Sequence, residues 1–170
     1  MAWRPAVAGD PALAAPVSAE LARLDAPVLV ADIDADLADT ARFCARYGVE
    51  MSESANCVIV AGRRGDVVRY AACLVLATTR ADVNGIVRRR LAARKASFAP
   101  MDDAVARSGM EFGGITPIGL PPDWLILVDA AVVSAGVVVI GSGLRRSKLA
   151  LAGESLLRLP NAELVDGLAS

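Results

Sequence analysis

The stretch Gly113-Gly114-Ile115-Thr116-Pro117-Ile118-Gly119-Leu120, which is followed by Pro121-Pro122, is the most informative part of this chain. Glycine has no Cβ atom, so the main chain at Gly113 and Gly114 allows another group to approach closely. Pro117 restricts φ and stiffens the far end of the segment. Two structures fit this pattern: a rigid loop that presents main-chain N–H and C=O groups to a ligand, or a tight turn between two core elements.

Length and composition indicate one folded domain with an aliphatic core. The chain has 170 residues, of which 55% are hydrophobic and only 4% are aromatic, and its mean hydropathy is +0.46. A chain this rich in apolar residues can bury enough surface to fold, which excludes global disorder. Because aromatic residues are few, we expect alanine, valine, leucine and isoleucine to form most of the core.

The sequence shows no segment typical of membrane insertion or secretion. Its longest uncharged run, Ala130–Leu144, is shorter than the ~20 apolar residues that a membrane-spanning helix needs. No basic flank precedes a long apolar stretch near the N-terminus, so we predict no signal peptide. The three cysteines, Cys44, Cys57 and Cys73, lie within apolar runs, and free buried thiols are typical of a reducing compartment. We therefore expect a cytoplasmic protein that does not contact membranes.

The chain contains no histidine, which excludes catalysis by Ser-His-Asp or Cys-His groups. The cysteines are isolated and form no C-x-x-C pair, so a zinc site is not expected either. Cys57 has no base available to activate it as a nucleophile, and we interpret it as a core residue. We predict a function that needs no metal ion and no other cofactor.

Positive charge is concentrated in the middle of the chain. The net charge is −1, yet residues 61–95 carry nine basic and two acidic side chains, whereas residues 1–55 carry four basic and nine acidic ones. A basic patch is typical of proteins that bind phosphate backbones. The alternative is a solvated helix face and a hairpin tip, because adjacent arginines spread around a helix. The basic residues of this segment are Arg63, Arg64, Arg69, Arg80, Arg88, Arg89, Arg90, Arg94 and Lys95.

Hydrophobic periodicity and turn residues predict a mixed α/β chain without repeats or linkers. Asp34 or Asp36 can cap a helix that runs to Tyr47, where Gly48 ends it. Residues 1–15 are rich in alanine and proline, and we expect them to be loosely ordered. Strands are predicted at 28–33, 57–61, 70–77, 94–98, 124–128, 137–140 and 148–151, and further helices at 18–24, 82–91, 100–108 and 154–159.

The Gly/Pro loop resembles the G-G-[IV]-[ST]-P-x-G signature of the YbaK-like aminoacyl-tRNA deacylases. That family includes the editing domain inserted in bacterial prolyl-tRNA synthetases. The resemblance extends from residue 28 to residue 166. It implies a single domain over residues 16–170, with a central mixed sheet or half-barrel flanked by helices. The other similar segments are 39–49, 57–61, 70–77, 139–143 and 156–166.

The resemblance implies a trans-editing hydrolase, which removes a wrongly attached small amino acid from tRNA by cleaving its ester to the terminal ribose. Main-chain groups of the loop would hold the ribose and the ester, and water would attack with help from a ribose hydroxyl. Gly113 is then a catalytic candidate. The candidate substrate-binding residues are Gly114, Ile115, Thr116, Pro117, Gly141 and Ser142, and the candidate tRNA-binding residues are Arg69, Arg80, Arg88 and Arg89.

One feature of the family pattern is missing. Family members carry a lysine at the start of the hairpin strand, and the corresponding residue here is Asn56. The two lysines of the chain, Lys95 and Lys148, align with other parts of the pattern. Asn56 can donate a hydrogen bond to a phosphate or carbonyl oxygen. It cannot supply the charge-assisted hydrogen bond, which is about twice as strong.

Three interpretations of Asn56 follow. In the first, the protein is a divergent deacylase in which Asn56 is catalytic and an arginine such as Arg69 or Arg80 covers the phosphate. In the second, catalysis has been lost, and the protein binds tRNA or an aminoacyl-tRNA synthetase. In the third, the pocket binds another small ligand. Asp129 matches an acidic position common in the family, and it also suits the cap of a following helix.

Overall fold

The larger of two β-sheets is built on a long antiparallel hairpin. In the computed structural model, strands β3 (Ala55–Arg64) and β4 (Val67–Leu76) pair along their whole length, from Ala55 opposite Leu76 to Arg64 opposite Val67. Gly65 at the tip has φ of 62°, a left-handed conformation that glycine adopts without strain. Strand β5 (Lys95–Phe98) pairs antiparallel with β3. On the other side, β6 (Leu125–Asp129) and β9 (Ala162–Val165) add parallel to β4, in the order β5-β3-β4-β6-β9.

The second sheet has four antiparallel strands in the order β1-β2-β8-β7. The central pair, β2 and β8, is buried on the inner face, where Val30 and Leu149 are fully covered. One isolated parallel bridge, Ser54 to Val139, joins this sheet to the start of β3. Its strands are β1 (Arg4–Pro5), β2 (Val28–Asp32), β7 (Val137–Gly141) and β8 (Ser147–Ala152).

Five short α-helices connect the strands, and none is both long and apolar enough to cross a bilayer. Helix α2 begins after Asp39, whose carboxylate accepts hydrogen bonds from the N–H groups of Ala41 and Arg42, and ends at Gly48 with φ of 68°. The helices are α1 (Ala15–Leu21), α2 (Thr40–Tyr47), α3 (Arg88–Arg90), α4 (Met101–Ser108) and α5 (Ala130–Ser134). A π-helical turn, Val83–Val87, precedes α3, and 3₁₀ turns span Ala35–Leu37, Met51–Glu53 and Gly153–Arg158.

The main core lies between the two sheets and is aliphatic, as the composition predicts. Val30, Leu149 and Ile140 from the four-stranded sheet share one buried cluster with Leu74 and Val128 from the five-stranded sheet. The aromatic exceptions form pairs outside this cluster, such as Tyr70 and Trp124, whose ring centroids are 5.0 Å apart. The burial of both inner faces against each other is the main driving force for this arrangement.

The mixed α/β class predicted from the sequence is confirmed, with several differences in detail. The helix predicted over 82–91 is a π-helical turn followed by α3, and the one predicted over 154–159 is a 3₁₀ turn. The strands form two sheets rather than one central sheet. Residues 35–37 form a separate 3₁₀ turn, because Asp34 caps that turn and Asp39 caps the helix. The expectation of loose order over residues 1–15 is wrong for Ala12–Ala14, which are buried in the main core.

Candidate functional site

A cavity of about 460 Å³ lies where the two sheets meet the Gly/Pro loop. One wall is the start of β3, and another is formed by the end of β7 with the facing residue of β8. The N-terminal ends of α2 and α4, Phe112 and the first residues of the loop complete it. Cavities of ~300–1,000 Å³ are typical of small-molecule sites, so this is the main candidate for a functional site.

The glycines of the loop are required mainly by its packing against the turn that follows β7. A Cβ atom at Gly114 would lie 2.7 Å from the carbonyl of Leu144, and one at Gly141 would lie 2.4 Å from the carbonyl oxygen of Gly114. The N–H of Gly143 also donates to that oxygen, at 2.8 Å. The carbonyl of Gly114 is therefore used inside the protein. Close approach of two main chains, rather than of a ligand, explains why Gly114 and Gly141 lack side chains.

Gly113 faces the side chain of Arg145. It has φ of +82°, and a Cβ atom there would lie 2.7 Å from the Nη1 atom of Arg145. The Arg145 guanidinium donates to the carbonyl of Phe112 at 3.3 Å and to that of Ala35 at 3.0 Å. Arg145 and Gly113 both line the cavity. The sequence analysis missed Arg145, although its basic run directly after the Gly141–Gly143 turn is a visible signal.

Several main-chain N–H groups of the loop have no partner within the protein, and two of them belong to residues at the cavity wall. The N–H groups of Gly113 and Ile115 donate no hydrogen bond, whereas the N–H of Gly114 donates to Glu111 at 2.9 Å. Both residues line the cavity. Unpaired N–H groups at a cavity wall are suited to bind a carbonyl or an oxyanion. The loop thus retains the donors that the rigid-loop interpretation predicts.

Asn56 lies on β3 at the cavity wall and is held in place by Thr40. The Oγ1 atom of Thr40 donates to the Oδ1 atom of Asn56 at 2.8 Å, and both residues line the cavity. This bond uses the carboxamide oxygen, and the NH₂ group donates to no protein atom. A carboxamide has two N–H donors, so Asn56 can bind an acceptor on a ligand.

Lys148 lines the same cavity, which the sequence analysis did not predict. It is only 8% exposed, and its Nζ atom donates to the carbonyl of Ala38 at 3.2 Å. The ammonium group also lies 5.1 Å from the centre of the Phe43 ring. Burial lowers the pKa of Lys148, while the nearby Cys44 and Asp39 raise it in part. Strand pairing brings this lysine to the site, because Lys148 is opposite Gly141 on neighbouring strands.

The sequence of this chain matches the aminoacyl-tRNA editing domain over residues 34–159, which is well over half of its length. The chain belongs to the aminoacyl-tRNA editing domain family. The prediction of a YbaK-like family member is thereby confirmed. Comparison of this editing domain with curated proteins finds no significant match.

Solved structures confirm the fold of the editing domain. A candidate trans-editing enzyme for prolyl-tRNA synthetase superposes with a TM-score of 0.75 and 19% identity, covering 92% of this chain and 96% of the other. A hypothetical protein has a TM-score of 0.71 and 23% identity, covering 83% of this chain and 90% of the other. An epitope scaffold protein has a TM-score of 0.75 and 20% identity, covering 92% and 97%. At these identities the likeness concerns the fold alone.

Four of the predicted substrate-binding residues of the editing domain, Gly114, Thr116, Pro117 and Ser142, lie outside the cavity lining. Thr116 is fully buried, and its hydroxyl has no hydrogen-bond partner. Ser142 is also fully buried, and its hydroxyl bonds with that of Ser147 at 2.6 Å. Pro117 lines a separate surface depression beside α1. Their positions correct the prediction, because these side chains lie away from the cavity and pack within or behind the loops. The predicted residues that do line the cavity are Asn56, Gly113, Ile115 and Gly141.

The basic segment of the editing domain divides into separate groups. Arg63, Arg88, Arg94 and Lys95 line a second cleft of about 450 Å³. Strand β5 contributes to both sites: Ser97 lines the cleft, and the next residue, Phe98, lines the cavity. Among the predicted tRNA-binding residues, only Arg88 lines the cleft, and Arg89 lines neither the cleft nor the cavity. The side chain of Arg69 donates to the carbonyl of Leu91, and the main chain of Arg80 pairs with that of Ser170.

Two other candidates of the editing domain are explained by local structure. Cys57 lies at the cavity wall, but burial raises the pKa of its thiol far above the ordinary value, so the thiol stays protonated and is a poor nucleophile. The carboxylate of Asp129 caps α5 by accepting from Ala131 at 2.7 Å, and it also accepts from Ala169 at 2.8 Å. Asp129 therefore ties two segments together outside the cavity.

Proposed function

We propose that this protein is an aminoacyl-tRNA deacylase, which removes a wrongly attached small amino acid from tRNA. The observation that carries the proposal is the convergence on one cavity of two unpaired main-chain N–H groups, at Gly113 and Ile115, with the free carboxamide NH₂ of Asn56. These are donors for an ester, and the family of the chain supports the same reaction.

Hydrolysis at this site proceeds by direct attack of water. The water oxygen adds to the ester carbonyl carbon, and the carbonyl electron pair moves onto its oxygen, where the N–H groups of Gly113 and Ile115 donate to it. The bond to the ribose oxygen then breaks, and that oxygen takes the proton lost by the attacking water. Asn56 donates to the substrate and orients it. The products are a free amino acid and an uncharged tRNA.

The 3′ end of tRNA is single-stranded, and the rim of the cavity suits it. Phe98 is 67% exposed and Phe112 is 58% exposed, and both line the cavity. Exposed aromatic side chains beside a cavity commonly stack on unpaired bases. We assign these two rings to the terminal bases. We assign the basic cleft, with Arg63, Arg88, Arg94 and Lys95, to the preceding phosphates.

The substrate amino acid is small in this proposal. A cavity of about 460 Å³ is toward the small end of the ~300–1,000 Å³ range for such sites, and it must also receive the terminal ribose. Alanine, cysteine, serine and proline are the candidates by family analogy. The deacylase unit is proposed to span residues 16–170. The proposed substrate, a charged tRNA, and the three free cysteines of the chain both fit a protein that acts in the cytoplasm.

The experiment is deacylation of a panel of mischarged tRNAs by the purified protein without any synthetase. The panel starts with Ala-tRNA(Pro) and Cys-tRNA(Pro) and includes correctly charged Pro-tRNA(Pro). We expect hydrolysis of at least one small-residue ester well above the rate without protein, reduced by Asn56→Ala. Tight binding of tRNA with no hydrolysis across the panel would instead support a catalytically silent module that binds tRNA or a synthetase.

A further inference from the structure

We infer that Lys148 is a catalytic residue of this cavity, and that its ammonium group donates to the ester carbonyl oxygen of the substrate. The inference rests on the proposed deacylase function. The family pattern has a lysine at the start of β3, and this chain has Asn56 at that position. The positive charge enters the same cavity from β8 instead, on the opposite sheet.

The position of Lys148 ties it to both other parts of the site. Its Cα is opposite that of Gly141, which lies against the carbonyls of Gly114 and Ile115. Its side chain extends to the carbonyl of Ala38. Two residues further on, Thr40 holds the carboxamide of Asn56. The short segment Ala38–Thr40, which leads into the first residue of α2, therefore contacts both Lys148 and Asn56.

The contacts of Lys148 leave its charge without an anionic partner. It forms no ion pair. Its direct contacts are one neutral carbonyl and the ring of Phe43, and Asp39, Cys44 and Arg145 are the nearby titratable groups. An ammonium has three N–H donors, and only one is used. Burial lowers the pKa of Lys148, as expected for a charge that lacks a partner. A buried cation at a cavity wall is suited to bind an oxygen that gains negative charge during reaction.

Arg145 is the other cation at the cavity wall, and it is less suited to this role. Its guanidinium is already bonded to the carbonyls of Ala35 and Phe112. It is also partly exposed, near the rim beside Phe112. Lys148 is the more deeply buried of the two, where the ester end of a bound aminoacyl group would lie. We therefore assign the carbonyl oxygen to Lys148.

Lys148 keeps its proton throughout the step. When water adds to the carbonyl carbon, the electron pair of the carbonyl moves onto oxygen, and the Lys148 N–H donates to that oxygen alongside the loop. When the bond to the ribose oxygen breaks, the pair returns and the ribose oxygen takes the proton of the attacking water. Loss of a donor of this kind lowers kcat by about 10²–10³ with little change in KM.

The test compares Lys148→Met with the surface control Arg23→Met on the best-cleaved mischarged tRNA. We expect Lys148→Met to lower kcat by about 10²–10³, with KM within threefold, and Arg23→Met to behave like the native protein. A second variant, Asn56→Lys/Lys148→Met, moves the charge across the cavity, and we expect it to recover at least tenfold over Lys148→Met. A kcat of Lys148→Met within threefold of native would overturn the assignment, as would an unchanged kcat together with a raised KM.

Binding of an uncleavable analogue separates this inference from the proposed function. The probe is 3′-alanylamino-3′-deoxyadenosine, titrated into native protein while the Nζ resonance of Lys148 is followed by NMR. If native protein cleaves no mischarged tRNA, the proposed function fails, and this titration still decides the role of Lys148. A shift of the Lys148 resonance that Arg23→Met retains supports contact with the aminoacyl group. An unmoved resonance at saturation overturns it, even if Lys148→Met does not fold.

Discussion

The hydroxyl of Thr40, at the start of α2, donates a hydrogen bond of 2.8 Å to the carboxamide oxygen of Asn56 on β3. This bond fixes which way the carboxamide faces. Its NH₂ group is then the part of Asn56 left for a ligand. Because Thr40 also follows the carbonyl that holds Lys148, the N-terminal end of α2 positions two of the three kinds of donor in the cavity.

Thr40→Val is therefore expected to reduce turnover without removing any group that contacts the substrate. The carboxamide of Asn56 loses its orienting bond, and we expect kcat to fall by about 10-fold. This factor corresponds to ~1.4 kcal/mol, a typical contribution of one hydrogen bond. Asn56→Ala should reduce kcat at least as much and should change tRNA binding less than turnover. The control is Thr78→Val on the exposed β4 turn. A fully active Thr40→Val would contradict the orienting role.

Gly113→Ala is expected to lose both stability and activity. Its φ of +82° strains any side chain, which costs about 1–2 kcal/mol, and the new methyl displaces the guanidinium of Arg145. Gly136→Ala is a matched control, because Gly136 has φ of +80° with open space around it. We expect both variants to lose free energy of unfolding by urea, Gly113→Ala more than Gly136→Ala because it also disturbs the hydrogen bonds of Arg145. We expect loss of deacylation in Gly113→Ala alone. Equal activity of the two variants would argue against the loop as part of the site.

Phe98→Ala and Phe112→Ala are each expected to weaken binding of the tRNA 3′ end. Stacking of a base on an aromatic side chain contributes about 1–3 kcal/mol, so the Kd for a short single-stranded CCA oligonucleotide should rise at least fivefold. Both side chains are more than half exposed, so unfolding should be nearly unchanged. Leu164→Ala, at a similarly exposed residue on β9, is the control. Unchanged Kd values in both phenylalanine variants would show that the rim does not contact bases.

Charge reversal in the basic cleft is expected to lower the salt dependence of tRNA binding. Arg63→Glu/Arg94→Glu removes two of the four cations of the cleft, and each lost phosphate contact reduces the slope of log K against log salt by about 1. Arg23→Glu/Arg158→Glu changes the net charge equally, away from the cleft. The measurement is tRNA affinity at several salt concentrations. The same slope in both double variants would mean that only net charge matters.

The pH dependence of stability reports on the burial of Lys148. Its folded-state pKa is lowered from the ordinary 10.5, so above the folded value the unfolded chain binds more protons and stability rises with pH toward 10.5. As the pH falls, this gain in stability is lost, and below the pKa of Lys148 in the folded protein we expect no further change in stability from this group. Lys148→Met should flatten the rise. Urea unfolding from pH 7 to 10 measures it, and taking the difference between the two proteins cancels the contribution of Cys57 and Cys73. Cys44 interacts with Lys148, so both proteins carry Cys44→Ala in this comparison. Parallel pH profiles would contradict the lowered pKa.

Local chemistry made several elements predictable. Gly48 ends α2 in the structure as predicted from the sequence, because a C-cap depends on residues a few positions apart. The helix begins after Asp39 rather than after the predicted Asp34 or Asp36. The hairpin of β3 and β4 was predictable from two apolar runs around a glycine-bearing tip. Packing of Ala12–Ala14 in the core was not, because those residues are held by segments distant in sequence, such as the carbonyl of Ser142.

The features of the site divide in the same way, into those that local sequence predicts and those that depend on the tertiary structure. The sequence by itself determined the family, the Gly/Pro loop and the presence of Asn56 where a lysine is usual, since each is a local pattern. Only the tertiary structure decided that Lys148 and Arg145 enter the cavity, that Thr116 and Ser142 are turned away from it, and that Arg63 joins Arg94 in one cleft. The reason is physical: which side chains meet depends on strand register and on the packing of two sheets, and these follow from burial of the whole core.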